Sequence, residues 1–170
     1  MIIVEYSDFE CPFCKNFHGT MRQVMDEYGA SGKVAWGYRH FPLDELHPVK
    51  ARLEAVAAEC AAELGGGEAF WNFADRLFDL TLSNNRTDTG TVLPQIAAEL
   101  RLEKEAFSSC LASSRHDARV DGDARNAAET GGLGTPWSIL VNKNGKKTPI
   151  NGAEPYGVVR ELIEQALAGN

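Results

Sequence analysis

Two cysteines three positions apart, Cys11-Pro12-Phe13-Cys14, stand between an apolar run and an amphipathic one. The run before them, Ile2-Ile3-Val4-Glu5-Tyr6, has the composition of a buried strand. The run after them places Phe17, Met21, Met25 and Tyr28 at helical spacing. A C-x-x-C at a strand-to-helix junction constrains both fold and chemistry, because it sets one thiol at a helix start and the other one turn further in. Unpaired N–H groups and the partial positive charge of a helix N-terminus favour thiolate over thiol, so Cys11 reads as an exposed nucleophile. Cys14 falls on the stripe of Phe17 and Met21 and reads as the buried thiol that resolves a mixed disulfide. Pro12 fits the first helical turn, where a missing N–H is harmless. The competing readings are an inert bridge and half of a zinc site. Zinc would need two more compact ligands, and no second C-x-x-C is present.

The remaining pattern gives an order of elements. A first strand is expected over residues 1–6 and a first helix over 12–29, with Gly29 and Gly32 at the turn that ends it. Residues 34–41 alternate as a second strand, stopped by Pro42. Helical periodicity then runs from about residue 47 to residue 131, interrupted by Gly65-Gly66-Gly67 and by a polar loop at Asn84-Asn85-Arg86-Thr87-Asp88. Strand composition returns at Trp137-Ser138-Ile139-Leu140-Val141. Asn144-Gly145 predicts a two-residue hairpin turn into Lys147-Thr148-Pro149-Ile150, and Pro155 opens a last helix. The order is βαβ, a helical block, then ββα, which a four-stranded mixed sheet with an all-helical insert satisfies most simply.

A chain of 170 residues, 44% of them hydrophobic, is long enough for one domain with a sizeable core. Net charge is −7 with no lysine- or arginine-rich run, which argues against nucleic acid as a partner. No apolar stretch approaches the roughly 18 residues of a membrane span. The chain enters its first strand almost at once, with no basic segment ahead of an apolar one, and reads as a domain cut from a longer precursor.

The segments Val4-Glu5-Tyr6-Ser7-Asp8-Phe9-Glu10-Cys11-Pro12-Phe13-Cys14, Tyr38-Arg39-His40-Phe41-Pro42-Leu43, Glu59-Cys60-Ala61, Phe70-Trp71, residues 107–111 and Gly134-Thr135-Pro136 together resemble the DsbA-like thiol-disulfide oxidoreductases. The resemblance covers nearly the whole chain. It implies an α/β thioredoxin fold, with residues 1–43 and 132–170 forming the discontinuous thioredoxin-like part and residues 44–131 the inserted helical part. It departs from the family at one point: the active-site dipeptide, often Pro-His, is Pro12-Phe13, which removes an imidazole beside the nucleophile.

Several residues acquire roles from this likeness. Glu5, a charge inside an apolar strand, matches the acid beneath the active site and would exchange a proton with Cys14. Pro136 is expected to be cis and to face the dithiol, with the Thr135 backbone pairing with an extended substrate segment. Pro12 and Phe13 would border that substrate. Cys60 and Cys110 each lie on an apolar helical stripe and are compatible with buried free thiols or with a bridge. The resembled branch carries the same pair as a structural disulfide, which implies an oxidising, extracytoplasmic setting.

Asp8 and Glu10 are expected on the surface, where they would, if close, oppose the helix-end effect on Cys11. His18 shares a helix face with Cys14 and reads as a surface or satisfied histidine. Trp137 fits either core or groove. The expected function is oxidation of cysteines in exported proteins by a monomer that needs no metal or organic cofactor, with a membrane-bound redox partner implied by the resemblance alone. A disulfide reductase or isomerase, and a thioredoxin-fold chaperone without turnover, are the alternatives.

Overall fold

The structure is a computed structural model and describes residues 1–169. Strand β1 (Ile2–Ser7) runs parallel to β2 (Ala35–His40) and antiparallel to β3 (Trp137–Val141), which pairs antiparallel with β4 (Lys147–Asn151). The sheet order is β2-β1-β3-β4. An inner strand covered on both faces reads as an almost continuous apolar run, and β1 buries Ile3, Glu5 and Tyr6 alike. Between β1 and β2 lies helix α1 (Pro12–Val24), whose last turn widens into a π-helical turn, Met25–Gly29. Helices α2 (Lys50–Leu80), α3 (Thr89–Glu99), α4 (Lys104–Leu111) and α5 (Asp117–Glu129) separate β2 from β3, and α6 (Tyr156–Ala168) closes the order. This is the thioredoxin architecture with a helical insertion.

Three buried clusters hold it together. Phe17, Met21 and Val24 of α1 and Val159 and Ile163 of α6 pack with Ile3, Leu140 and Ile150 of the sheet. On the opposite face Tyr6, Trp137 and Ile139 meet Ala127 of α5. The third cluster is built largely from α2, α3 and α4, through Val56, Phe73, Leu77, Leu93, Ile96 and Phe107, and it includes Cys11 and Cys14. The dithiol therefore sits where the helical block meets the sheet.

One local expectation holds and one is corrected. The glycine run does interrupt the helix: Gly66 takes a non-helical conformation (φ 76°, ψ −171°) that favours glycine, so α2 is two helical segments joined across a kink at that residue. The hairpin turn is displaced by one residue from Asn144-Gly145. Gly145 N–H closes a turn on Asn142 O, the Asn142 side chain accepts from the N–H groups of Asn144 and Lys146, and Gly145 takes φ 80° just after the turn. Asn142 thus sets the turn, and the glycine serves as the left-handed residue of a longer loop.

Candidate active site

Cys11 is the N-cap residue of α1, in extended conformation (φ −81°, ψ 120°), with Pro12 in the first turn. No side chain caps this helix start, so its N–H groups are available to a sulfur. Cys11 was expected to be exposed; it is only 4% exposed, because the active-site loop and helical block cover all but a narrow face. Its Sγ lies 3.5 Å from the carbonyl oxygen of Thr135. Cys14 is fully buried and receives the Asp8 N–H at 3.5 Å. The two thiols are held far apart in acidity. A hydrogen bond from Cys14, outweighing burial and joined by contacts to Thr135 and the N–H groups of Cys14 and Phe13, lowers Cys11 from 9.0 to about 6. Burial, reinforced by Cys11 itself, pushes Cys14 well above its ordinary range. At neutral pH the pair therefore holds one thiolate and one thiol.

Within the sheet, the pairing register aligns Glu5 of β1 with Tyr38 of β2 and Ser138 of β3. Glu5 is wholly buried, and burial raises its carboxyl from 4.5 to about 7, against a partial counter-pull from His18, Ser7 and Trp36. Trp36 Nε1–H donates to Glu5 Oε2 at 3.0 Å. Glu5 Oε1 and the Ser7 and Tyr38 hydroxyls are buried without a hydrogen-bond partner of good geometry among the described residues. Ser7 nevertheless lies close enough to Glu5, Cys14 and Tyr38 to lower the pKa of all three. Ser7, Tyr38 and Trp36 carry no sequence motif of their own and emerge as neighbours of Glu5 only in the fold. The signal for Ser7 was its position two residues after Glu5, hence on the same face of β1.

Asp8 and Glu10 overturn the surface expectation: they are 2% and 0% exposed. Asp8 accepts from the N–H groups of Glu10 and Leu43 and from His47 Nδ1. Glu10 accepts from the N–H groups of Arg86 and Thr87. Both carboxylates tie the active-site loop to distant backbone donors, which is why a loop can carry them buried. Neither is among the leading influences on Cys11. Glu54 of α2 is buried beside them with no hydrogen-bond partner of good geometry for either oxygen among the described residues, and burial together with Glu10 and Asp8 pushes it from 4.5 to about 9.

The Thr135–Pro136 peptide is cis and stands opposite the dithiol. Phe13, 62% exposed, and Leu133, fully exposed, flank this side of the molecule. A shallow groove lined by Phe41, Pro42, Leu43, Leu46, Leu133 and Gly134 adjoins the Thr135 loop. Trp137 belongs to the core of the far sheet face, with Nε1–H donating to Thr130 Oγ1 at 3.2 Å. Cys60 of α2 is bonded to Cys110 of α4, with Cα atoms 5.8 Å apart, and both are wholly buried. His18 was expected at the surface or satisfied; it is buried, with Nε2 meeting Asp75 Oδ1 at 2.6 Å and Nδ1 without a partner among the described residues. Among the described residues no helix is long and apolar enough to cross a membrane.

A family model described as "Thioredoxin" matches residues 1–163. The chain belongs to the thioredoxin family. Its branch follows from the solved structures: DsbA2 of Pseudomonas aeruginosa superposes with a TM-score of 0.82 at 27% identity, covering 96% of this chain and 87% of that one. BdbD from Bacillus subtilis, in its oxidised form, shares the fold with a TM-score of 0.83 at 23% identity, covering 98% and 87%. The chain is thus a DsbA-like thioredoxin. Among curated proteins, the Na(+)/H(+) antiporter NhaA 3 of Salinispora tropica is 34% identical over 149 residues, covering 88% of this chain and 21% of the antiporter. The antiporter NhaA 1 of Salinispora arenicola is 32% identical over 167 residues, covering 98% and 23%. The DsbA-like chain therefore spans less than a quarter of the length of these curated relatives.

Proposed function

We propose that this DsbA-like chain is a thiol-disulfide oxidoreductase that oxidises cysteines of exported polypeptides through Cys11 and Cys14. The observation that carries the reading is the split between a Cys11 held near 6 and a Cys14 held well above its ordinary value. A stabilised Cys11 thiolate is a good leaving group and stabilises the reduced dithiol, which favours electron flow from substrate to the chain. This split is reached without an imidazole at position 13, so Phe13 is compatible with the oxidising direction.

A substrate thiolate attacks Cys11 Sγ of the oxidised pair, and the breaking S–S bond leaves its electrons on Cys14. Cys14 takes a proton from Glu5, whose value of about 7 lets it give and regain one at neutral pH. A second substrate thiolate then attacks the substrate sulfur of the mixed disulfide and expels Cys11 as thiolate. The substrate loses two electrons, the chain gains them, and Cys14 ends protonated. Thr135, with Pro136, Pro12 and Phe13, borders the attacked sulfur and is the docking place for an extended segment. Residues 1–43 and 132–170 supply the dithiol, Glu5 and Pro136; residues 44–131 supply the lid of helices that buries Cys14.

The buried Cys60–Cys110 bridge supports an oxidising compartment, and a periplasmic thioredoxin-like protein of Salmonella enterica shares the fold. A membrane-bound partner that reoxidises the dithiol fits this setting. The test is oxidation of a reduced, unfolded protein by the pre-oxidised chain. Wild type should yield substrate disulfides stoichiometrically; Cys14→Ser, offered the substrate as a mixed-disulfide precursor, should accumulate the adduct on Cys11. Equal oxidation by a chain lacking both cysteines would overturn the proposal and favour a chaperone without turnover.

A further inference from the structure

A buried acid that cycles its proton needs a route to solvent, and His18, whose charge acts on Glu5, lies between Glu5 and a surface cleft. His18, on α1 one turn after Cys14, is 6% exposed. Its ring lies 5.1 Å, centroid to centroid, from the Trp36 indole whose N–H holds Glu5 Oε2. Its Nε2 meets Asp75 Oδ1 of α2 at 2.6 Å, and Asp75, 30% exposed at its side chain, also pairs with Arg22 at 3.0 Å. Its Nδ1 and Glu5 Oε1 are both buried and lack a hydrogen-bond partner among the described residues. A surface cleft between α1 and α2, lined by Lys15, His18, Arg22, Asp75, Phe78 and Asp79, opens onto the Asp75 end of this pair. Charged neighbours of the imidazole thus come from every side: Glu5 from β1, Lys15 and Arg22 from α1, Asp75 and Asp79 from α2.

We propose that His18, backed by Asp75, is the proton portal of the dithiol, carrying protons between the α1–α2 cleft and the inward-facing Glu5. The inference rests on Glu5 acting as the proton relay. In the oxidising direction Cys14 thiolate takes the Glu5 proton, Glu5 Oε1 recovers one from the imidazole directly or across one water, and the imidazole is reloaded from the cleft beside Asp75. No electron moves in this sequence, and one proton enters for each Cys14 protonated. Asp75 holds the ring orientation, as a carboxylate behind a histidine does in other proton-transfer sites. His18 acts through Glu5 and is a positioning residue rather than one that touches substrate.

The test compares full-length wild type, His18→Ala, His18→Gln, Asp75→Asn and Glu5→Gln. Two things are measured: the pH profile of single-turnover reduction of the Cys11–Cys14 disulfide by dithiothreitol, and the Glu5 titration read from its carboxyl infrared band. Both His18 variants should slow the reaction near neutral pH by about tenfold, and Asp75→Asn, a partly exposed change that leaves the core intact, by about threefold. Removing the nearby cation should move the Glu5 titration to higher pH. Free imidazole should restore most of the His18→Ala rate, which a merely structural role would not allow, and His18→Gln should add nothing to Glu5→Gln. If Glu5→Gln changes the profile while the His18 and Asp75 variants match wild type, or if imidazole rescues nothing, the portal is wrong and the relay stands. If Glu5→Gln itself leaves the profile unchanged, relay and portal fall together.

Discussion

The molecule carries two cysteine pairs in opposite circumstances. Cys60 and Cys110 join two helices inside an apolar cluster, where both sulfurs are shielded completely. Cys11 and Cys14 occupy the margin of that same cluster, but one sulfur faces a helix start and a backbone carbonyl, and the other is fully buried beside the Asp8 N–H and the Ser7 hydroxyl. A sulfur pair becomes exchangeable when its two members differ: one stabilised as an anion within reach of a partner, the other kept protonated with a proton donor behind it. Burial without that asymmetry yields a fastener.

The sharpest way to break this contrast is to remove the members of each pair. Cys11→Ser should reduce oxidation of an unfolded substrate by at least about 10³-fold, the scale seen when a nucleophile is lost. Replacing Cys60 and Cys110 by Ser should leave the single-turnover rate within about twofold. That double change should instead lower stability, by about 4 kcal/mol in the loop-entropy model for a separation of 50 residues, measured by denaturant unfolding. If the double variant loses exchange while still folded, the division between catalyst and fastener fails.

A second set of predictions concerns the buried acids, Glu5 against Glu54. Glu54 binds its proton more tightly folded than unfolded, so its contribution is fully present below pH 4.5 and is lost as pH rises toward about 9. Between pH 5 and pH 8 this one group should lower stability by up to about 1.4 kcal/mol per pH unit. Glu54→Gln should flatten that slope in denaturant titrations at successive pH values while leaving the exchange profile alone. Glu5→Gln should act on the exchange profile near pH 7, where Glu5 itself titrates. The smallest effect belongs to Phe13→His. An imidazolium beside Cys11 should lower its pKa somewhat below 6 and make the dithiol about 30 mV more oxidising, read by equilibration with glutathione.

Much of this was legible in the chain itself. The order of elements follows from periodicity, and the dithiol and Pro136 follow from local patterns whose resemblance extends over most of the chain. What could not be read depended on contacts between distant residues. Asp8 and Glu10 look like surface charges because their partners, the N–H groups of Leu43, Arg86 and Thr87, lie 35 to 77 residues away. Cys11 looked exposed for the same reason, since the cover comes from the helical block. His18 looked incidental because its meaning depends on Trp36 across the sheet and Asp75 on another helix. The hairpin was misplaced by one residue because the Asn142 side chain, rather than the Asn144-Gly145 pair, captures the turn's N–H groups.

The central claim is the split within Cys11–Cys14, and it is tested most directly by thiolate absorbance of the reduced chain titrated from acid to alkaline pH, with Cys14→Ser as reference. The account predicts one thiolate appearing near pH 6, assigned to Cys11, and no second one until well above pH 9. Two thiols titrating together near 9 would contradict it.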